Sequence, residues 1–225
     1  MTVRAVAAVD LGATSGRVMI GRIGDGRLDL ELVSRFPNGP VEREDGLHWD
    51  FGALYEHVVA GLAEAVRREP GIESIGIDSW AVDYGLVKDG ELLAEPFHYR
   101  DDRTVRGVAE VHAEAPFAEL YQRNGLQFLP FNTLYQYRVE ARLADADTAL
   151  LIPDLIAFLL TGTSVAERTN ASTTGLLGVE SGEWDSELAE RLGIRRASCR
   201  RSSIRARRSA PCNPSSLNAS ARSCP

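Results

Sequence analysis

The first 194 residues contain no cysteine and a single lysine, Lys88. Without thiols that stretch cannot carry a disulfide framework or a thiolate metal site, and it suits a reducing compartment. Runs of 18 apolar residues are missing, so no membrane-spanning helix is expected and no membrane partner. The apolar stretch near the N-terminus is short and ends at Asp10, which makes it a poor secretory leader; the expected location is cytoplasmic. The four histidines, His48, His57, His98 and His112, are scattered. They show no metal-ligand spacing and read as surface or supporting residues. What is present is ordinary for a globular protein: 225 residues, 44% hydrophobic and 25% charged. A chain of this length can bury roughly 70% of its unfolded surface.

Charge divides the chain at Ile194. Residues 1–194 carry 17 basic and 32 acidic side chains, a net of −15, whereas residues 195–225 hold 8 arginines and no acid. All three cysteines, Cys199, Cys212 and Cys224, lie in that tail, with 8 serines and only Ile204 and Leu217 as large aliphatics. Such a segment buries too little apolar surface to offset its ordering entropy and is expected to be disordered. It reads as a basic arm for nucleic acid or a protein partner, as a cysteine site, or as translation out of frame. Cysteine spacings of 13 and 12 fit no compact ligand pattern. The arginine-rich, lysine-poor usage of the whole chain favours the frame reading over a nucleic-acid arm. The expected organisation is therefore a folded unit over 1–194 and a separate tail over 195–225.

Within the folded unit, Val6–Val9, Arg17–Ile23 and Arg27–Val33 read as strands, the last two joined by Gly24-Asp25-Gly26. Arg27–Val33 alternates polar and apolar and is expected half-buried. A helix is expected over Phe51–Arg68, capped by Asp50, with an apolar stripe of Leu54, Val58, Leu62 and Val66. Ile75–Trp80 is a further strand, and Lys88-Asp89-Gly90 is a turn between Tyr84–Val87 and Glu91–Leu93. Helical patterns then cover Arg103–His112, Phe117–Asn124, Thr133–Leu143, Asp154–Leu160 and Asp185–Leu192. This order predicts an α/β fold with a mixed sheet that opens in three antiparallel strands.

The most informative stretch is Asp10-Leu11-Gly12-Ala13-Thr14-Ser15-Gly16-Arg17. No Gly-Lys-Ser/Thr follows, so it is not a P-loop. A strand rather than a helix follows the turn, so it is not a dinucleotide fingerprint either. A Gly-rich strand–turn–strand can still hold phosphate, through backbone N–H groups and the Thr14 and Ser15 hydroxyls. Asp10 at the strand end suits Mg²⁺ or its waters, and Arg17 adds positive charge for phosphate oxygens. Taken alone, the stretch is equally a plain hairpin with an acidic strand end.

Its neighbours give it context. The opening resembles the first phosphate loop of the actin–hexokinase–sugar kinase superfamily. Four later stretches resemble the FGGY carbohydrate kinases, in that family's order: Ile75–Tyr84, Tyr99–Thr104, Gln127–Gln136, and Leu151–Asp154 with Thr169–Thr174. The similarity runs from about Val3 to Ile194. It implies an actin-like, ribonuclease H-like ATPase lobe that works with a second lobe. It also implies transfer of the ATP γ-phosphate to a sugar hydroxyl, with L-rhamnulose as the sugar. By position, Ala13, Thr14, Ser15, Gly16 and Arg17 correspond to the ATP-contacting loop and Asp10 to the metal-side carboxylate. Ala81 stands where the family has Gly at the sugar contact, and its methyl narrows the backbone approach. Trp80 and Asp83 lie beside it, either as a sugar-facing ring and acceptor or as a core Trp and a structural Asp.

Arg100, Asp101 and Arg103 would line the cleft or form an internal ion-pair cluster. Phe131 and Asn132 would face the sugar, or Asn132 would cap a helix. The family's general-base Asp lies beyond the region of resemblance, and the tail holds no Asp, Glu or His. The implied protein is thus the first lobe of an ATP- and Mg²⁺-dependent sugar kinase, lacking its C-terminal lobe and inactive alone. The alternative is a non-catalytic sugar- or nucleotide-binding lobe whose basic tail recruits nucleic acid or a partner.

Overall fold

The computed structural model describes residues 3–194 and the backbone of Ser202–Ser203. The disorder expected of the tail, and the readings of its arginines and cysteines, fall on residues outside the described ones.

The central sheet has the order β3-β2-β1-β6, built from β1 (Arg4–Leu11), β2 (Ser15–Gly24), β3 (Arg27–Pro37) and β6 (Ile72–Ser79). The first three strands are antiparallel as expected, and β6 runs parallel to β1. At the β2–β3 turn both Asp25 and Gly26 have positive φ, 51° and 71°. That conformation lets the strands keep their right-handed twist through a two-residue loop. β4 (Pro40–Arg43) and β5 (Gly46–Trp49) form a hairpin that the sequence did not announce.

Helix α1 (Phe51–Arg68) starts and ends where the periodicity predicts, and the Asp50 carboxylate accepts from Ala53 N at 3.1 Å. Leu54, Val58 and Leu62 are buried against β1 and β2, but Val66 is 44% exposed. Steps of four residues advance 40° beyond a full turn, so a stripe spaced by four drifts off the face within three steps. Ala65 takes the inward place instead.

A second sheet, β8-β7-β9, comprises β7 (Tyr84–Lys88), β8 (Glu91–Leu92) and β9 (Thr148–Leu151). Around it pack α2 (Arg103–Glu114), α3 (Phe117–Asn124), α4 (Thr133–Arg138) and α5 (Ile152–Thr161). A short β10 (Ala166–Glu167), α6 (Arg168–Ala171) and α7 (Ser186–Arg191) complete the described unit. The backbone of Ser202–Ser203 lies parallel to β10.

α4 ends five residues before the expected Leu143. Glu140 leaves helical geometry because its carboxylate collects Arg103 Nη1 (2.8 Å), Tyr84 Oη (3.2 Å) and Arg142 N (3.2 Å). Burial is what makes those acceptors valuable there.

Two apolar cores result. One lies between the central sheet, α1 and α5, and the other beneath the second sheet, around Leu134, Tyr135 and Leu176. The opposite face of the central sheet is different. Leu28, Leu30 and Leu32 on β3 are 61%, 56% and 51% exposed, and Ile23 pairs with Leu28 beside them. The half-burial expected of this strand is therefore not met among the described residues. Alternation tells which face of a strand is apolar, not whether anything covers it.

Candidate functional site

The site grows from the C-terminal ends of two adjacent parallel strands. β1 and β6 run in register up to Leu11 opposite Ser79, and Trp80 N donates to Leu11 O at 3.2 Å. The loops that follow, 12–14 and 80–83, therefore leave the sheet side by side. The carboxyl edge of parallel strands is the general ligand-binding edge of α/β sheets.

In the first loop, Gly12 N donates to Ser15 O at 2.9 Å, closing the turn. Asn38, between β3 and β4, braces it twice. Its Nδ2 donates to Gly12 O (2.9 Å) and its N donates to Thr14 O (3.1 Å). With those carbonyls drawn aside, the N–H groups of Ala13 and Thr14 and the Thr14 hydroxyl make no hydrogen bond among the described residues. That is a donor set suited to an anion. Gly16 is required by packing, since a Cβ there would collide with the Phe36 ring and Leu11. Asn38 carries no sequence signal, because its partners lie 24 and 26 residues away.

Asp10 and Arg17 face one another across β1 and β2, with Arg17 Nε 2.7 Å from Asp10 Oδ2. Both are about half exposed. An exposed pair of this kind contributes only about 0–1 kcal/mol, so a divalent cation or a phosphate can take either partner. Asp78 stands in register beside Asp10 on β6 and is exposed. One or two carboxylates with water and phosphate oxygens is the usual Mg²⁺ environment, so the residues present fit the metal as well as the nucleotide phosphates.

The second loop is tightly built. Trp80 packs on Trp49 with ring centroids 4.1 Å apart and planes tilted by 34°, and both indole N–H groups donate to Asp83 Oδ2, at 3.0 and 2.6 Å. Tyr99 N adds a third bond to that oxygen (3.1 Å), while Gln136 Nε2 donates to Oδ1 (2.9 Å). Asp83 is fully buried, and burial pushes its carboxyl up to about 6 against the pull of these donors. Asp83 thus sits under the loop as a structural acceptor. Trp80 and Ala81 remain partly exposed at the strand ends.

The other candidates separate. Asp101 accepts from Leu47 N (2.7 Å) and Arg103 N (3.0 Å), and Arg103 lies 3.8 Å over the Phe97 ring while paired with Glu140. These two residues form the internal cluster. Arg100 is exposed over Tyr99. Asn132 opens α4 without a side-chain cap bond and donates instead to Gln127 O at 3.3 Å. Phe131 reaches the loop through Tyr99, at 5.4 Å between rings. Of the four histidines, His48 and His98 are buried in a supporting role, packed on Phe97 and Trp49 respectively. His48 bonds Asp45 and Glu95 O, and burial with the nearby Arg100 charge lowers His98 to about 4.

The profile of the FGGY family of carbohydrate kinases, N-terminal domain, matches residues 5–204. The chain belongs to the FGGY family. Curated relatives within it include the rhamnulokinases of Ligilactobacillus salivarius and Pectobacterium carotovorum. They are 42% identical over 195 residues and 44% identical over 207, covering 85% and 87% of this chain. The same alignments cover 40% and 41% of those relatives, so the chain spans about two-fifths of their length. Solved structures agree on the fold. A gluconate kinase from Lactobacillus acidophilus superimposes with a TM-score of 0.82 at 19% identity, over 98% of this chain and 46% of its own. A xylulose kinase from Rhodospirillum rubrum gives 0.81 at 20%, over 98% and 48%. The FGGY match runs past Ile194, where the composition changes, to residue 204.

Proposed function

We propose that residues 1–194 form the phosphate- and sugar-binding lobe of an L-rhamnulose kinase. The phosphates of ATP rest on Ala13, Thr14, Ser15 and Gly16, with Arg17 beside them. The sugar lies against Trp80 and the Ala81 backbone. The observation that carries this reading is the Trp80 N to Leu11 O bond, which joins the two loops at neighbouring strand ends. A sugar hydroxyl on one loop and a γ-phosphate on the other would then be held close enough for transfer, and phosphoryl transfer depends mainly on such positioning. The names of the curated relatives supply the choice of sugar.

Each residue has a definite task in this reading. The Ala13 and Thr14 N–H groups donate to phosphate oxygens without prior rearrangement. Arg17 leaves Asp10 for phosphate, and Asp10 turns to the metal side. Mg²⁺ held by Asp10 would neutralise charge building on the phosphates. Trp80 offers an apolar face to sugar C–H groups while Asp83 below fixes the ring's angle. Asp83 itself, with both oxygens engaged, acts on the sugar only through Trp80. In this reading Asp10 serves the metal and Asp83 serves the loop, which leaves neither carboxylate for the proton of the attacking hydroxyl. Proton acceptance contributes about 10²–10⁴-fold to such reactions, and the second lobe that completes ATP positioning contributes more.

The chain of 225 residues is therefore expected to bind but not to turn over. An ATP-consumption assay with L-rhamnulose should show no activity above background, while calorimetry with ATP and Mg²⁺ shows binding that weakens on Thr14→Val. Turnover near one per second, the low end for kinases, would refute the single-lobe reading. Absence of any nucleotide binding would refute the phosphate loop.

A further inference from the structure

The loop between β6 and β7 holds a conformation that its own sequence resists. Val82 has φ of 72°, and Asp83 N donates across it to Ala81 O at 3.0 Å. A hydrogen bond from i+2 to i around a positive φ is a γ-turn of the rare, strained kind. A β-branched residue at its centre is an outlier, since the crowded Cβ meets the backbone there. Such conformations persist only where the surroundings over-determine them, and they gather at ligand sites.

The surroundings come from the start of α4. Thr133 Oγ1 donates to Val82 O at 2.8 Å, and Gln136 Nε2 approaches the same oxygen at 3.3 Å. The two Nε2 hydrogens of Gln136 go first to Asp83 Oδ1 (2.9 Å) and Phe131 O (3.0 Å), so its longer contact to Val82 O is a shared one, and its own Oε1 accepts from Arg103 Nη2 (3.2 Å). Both side chains are buried, so none of these bonds competes with water. The donors thus act on the one carbonyl whose direction is set by the strained residue.

We propose that Thr133 and Gln136 are positioning residues for the sugar. They hold the Val82 γ-turn, and the turn holds the Ala81 backbone and the Trp80 ring toward the phosphate turn. The proposal rests on the sugar-kinase reading above. Without the two donors Val82 relaxes to negative φ, and the peptides on either side of it rotate. The binding-competent loop then becomes a minor population, and apparent affinity falls in proportion. Glycine at position 82 would adopt the positive φ without help.

The test uses the whole 225-residue chain with calorimetric titration by L-rhamnulose. Thr133→Val keeps the side-chain shape and removes only the donor, and Gln136→Ala removes the second. Each is expected to weaken binding about tenfold or more, as a competent fraction of a tenth or less requires. Adding Val82→Gly to Thr133→Val is expected to restore most of the affinity, because Thr133 bonds the turn at Val82 O and leaves Asp83 untouched. A role of Thr133 in stability alone would not be restored, since glycine adds no contact. The indole N–H resonances of Trp49 and Trp80, both bonded to Asp83, give a second readout that needs no ligand. They should shift in the single variants and return in the double. Unchanged affinity in both single variants overturns the proposal, as does failure of Val82→Gly to restore binding in a chain with native indole resonances. If the unchanged chain takes up no L-rhamnulose, the sugar reading fails. The clamp is then decided by the indole resonances, which uphold it if they shift and return and overturn it if they stay fixed.

Discussion

Asp154, in the first turn of α5, carries the clearest cost of a buried charge. Its Oδ1 accepts from Glu167 N at 3.2 Å, and its Oδ2 has no partner among the described residues. Burial pushes its carboxyl up to about 7, with the nearby Glu167 charge adding to the effect. A carboxyl raised in the folded state favours folding most below its unfolded value of about 3.8, and that contribution is lost as pH rises through about 7. Asp83 behaves alike over a window ending near 6. His98, lowered to about 4, works the other way, and its contribution is present above about 6.5 and lost as pH falls. These opposing effects overlap below pH 6.5, so the clean window for Asp154 lies above it. Urea unfolding at pH 6.5 and pH 8 should show the unchanged chain losing stability with rising pH, and Asp154→Asn should flatten that slope. Equal slopes in the two proteins would mean that Asp154 is ionised at no cost, contrary to its burial.

At the scale of elements, α2 lies so close to α4 that no side chain fits between them at Gly107. A Cβ there would run into the Tyr135 carbonyl, a backbone atom that cannot swing away. Glycine-to-alanine changes inside helices ordinarily gain about 1 kcal/mol. Gly107→Ala should instead lose ~1–3 kcal/mol through overpacking. Gly52→Ala in α1, whose added Cβ meets only Glu95 Oε1 at 3.7 Å, should be neutral or mildly stabilising. Urea titration of both variants checks the contrast, and equal behaviour would deny the close α2–α4 contact. The sequence made some elements readable and hid others for related reasons. α1 is long, periodic and capped by its own neighbour Asp50, and the Asp25-Gly26 turn is local chemistry. β9 is four buried residues whose pairing with β7 is settled some 60 positions away. The β4–β5 hairpin has no alternation to mark it, yet it delivers Trp49 beneath Trp80. The site divides in the same way. The strand-end Asp10 and the turn residues 12–16 are legible as a local pattern. Asn38, Thr133 and Gln136 act through carbonyls elsewhere in the chain, which no spacing reveals.

For the whole molecule the open sheet face decides the behaviour in solution. Leu28, Leu30 and Leu32 form one row on β3, Ile23 and Met19 lie in register beside them on β2, and Val6 flanks Gly21 on β1. Contiguous apolar surface of this kind beyond a few hundred Å² is unusual on a monomer. Self-association through this face is therefore expected. Charge offers a competing route, since residues 1–194 carry a net of −15 and residues 195–225 add 8 arginines. Salt separates the two. At roughly 0.5 M the Debye length falls to about 4 Å, so association driven by the arginines weakens. Association through leucines persists or strengthens. Leu30→Glu sharpens the test, because a carboxylate at the centre of the row must be desolvated whenever two such faces meet. Light scattering on the 225-residue chain, on a chain ending at Ile194 and on Leu30→Glu, each at low and high salt, measures both contributions. The expected outcome is salt-resistant association in the first two and a monomer in the third. A monomer in every case would mean that this face, apolar and uncovered among the described residues, is too small or too twisted to meet another.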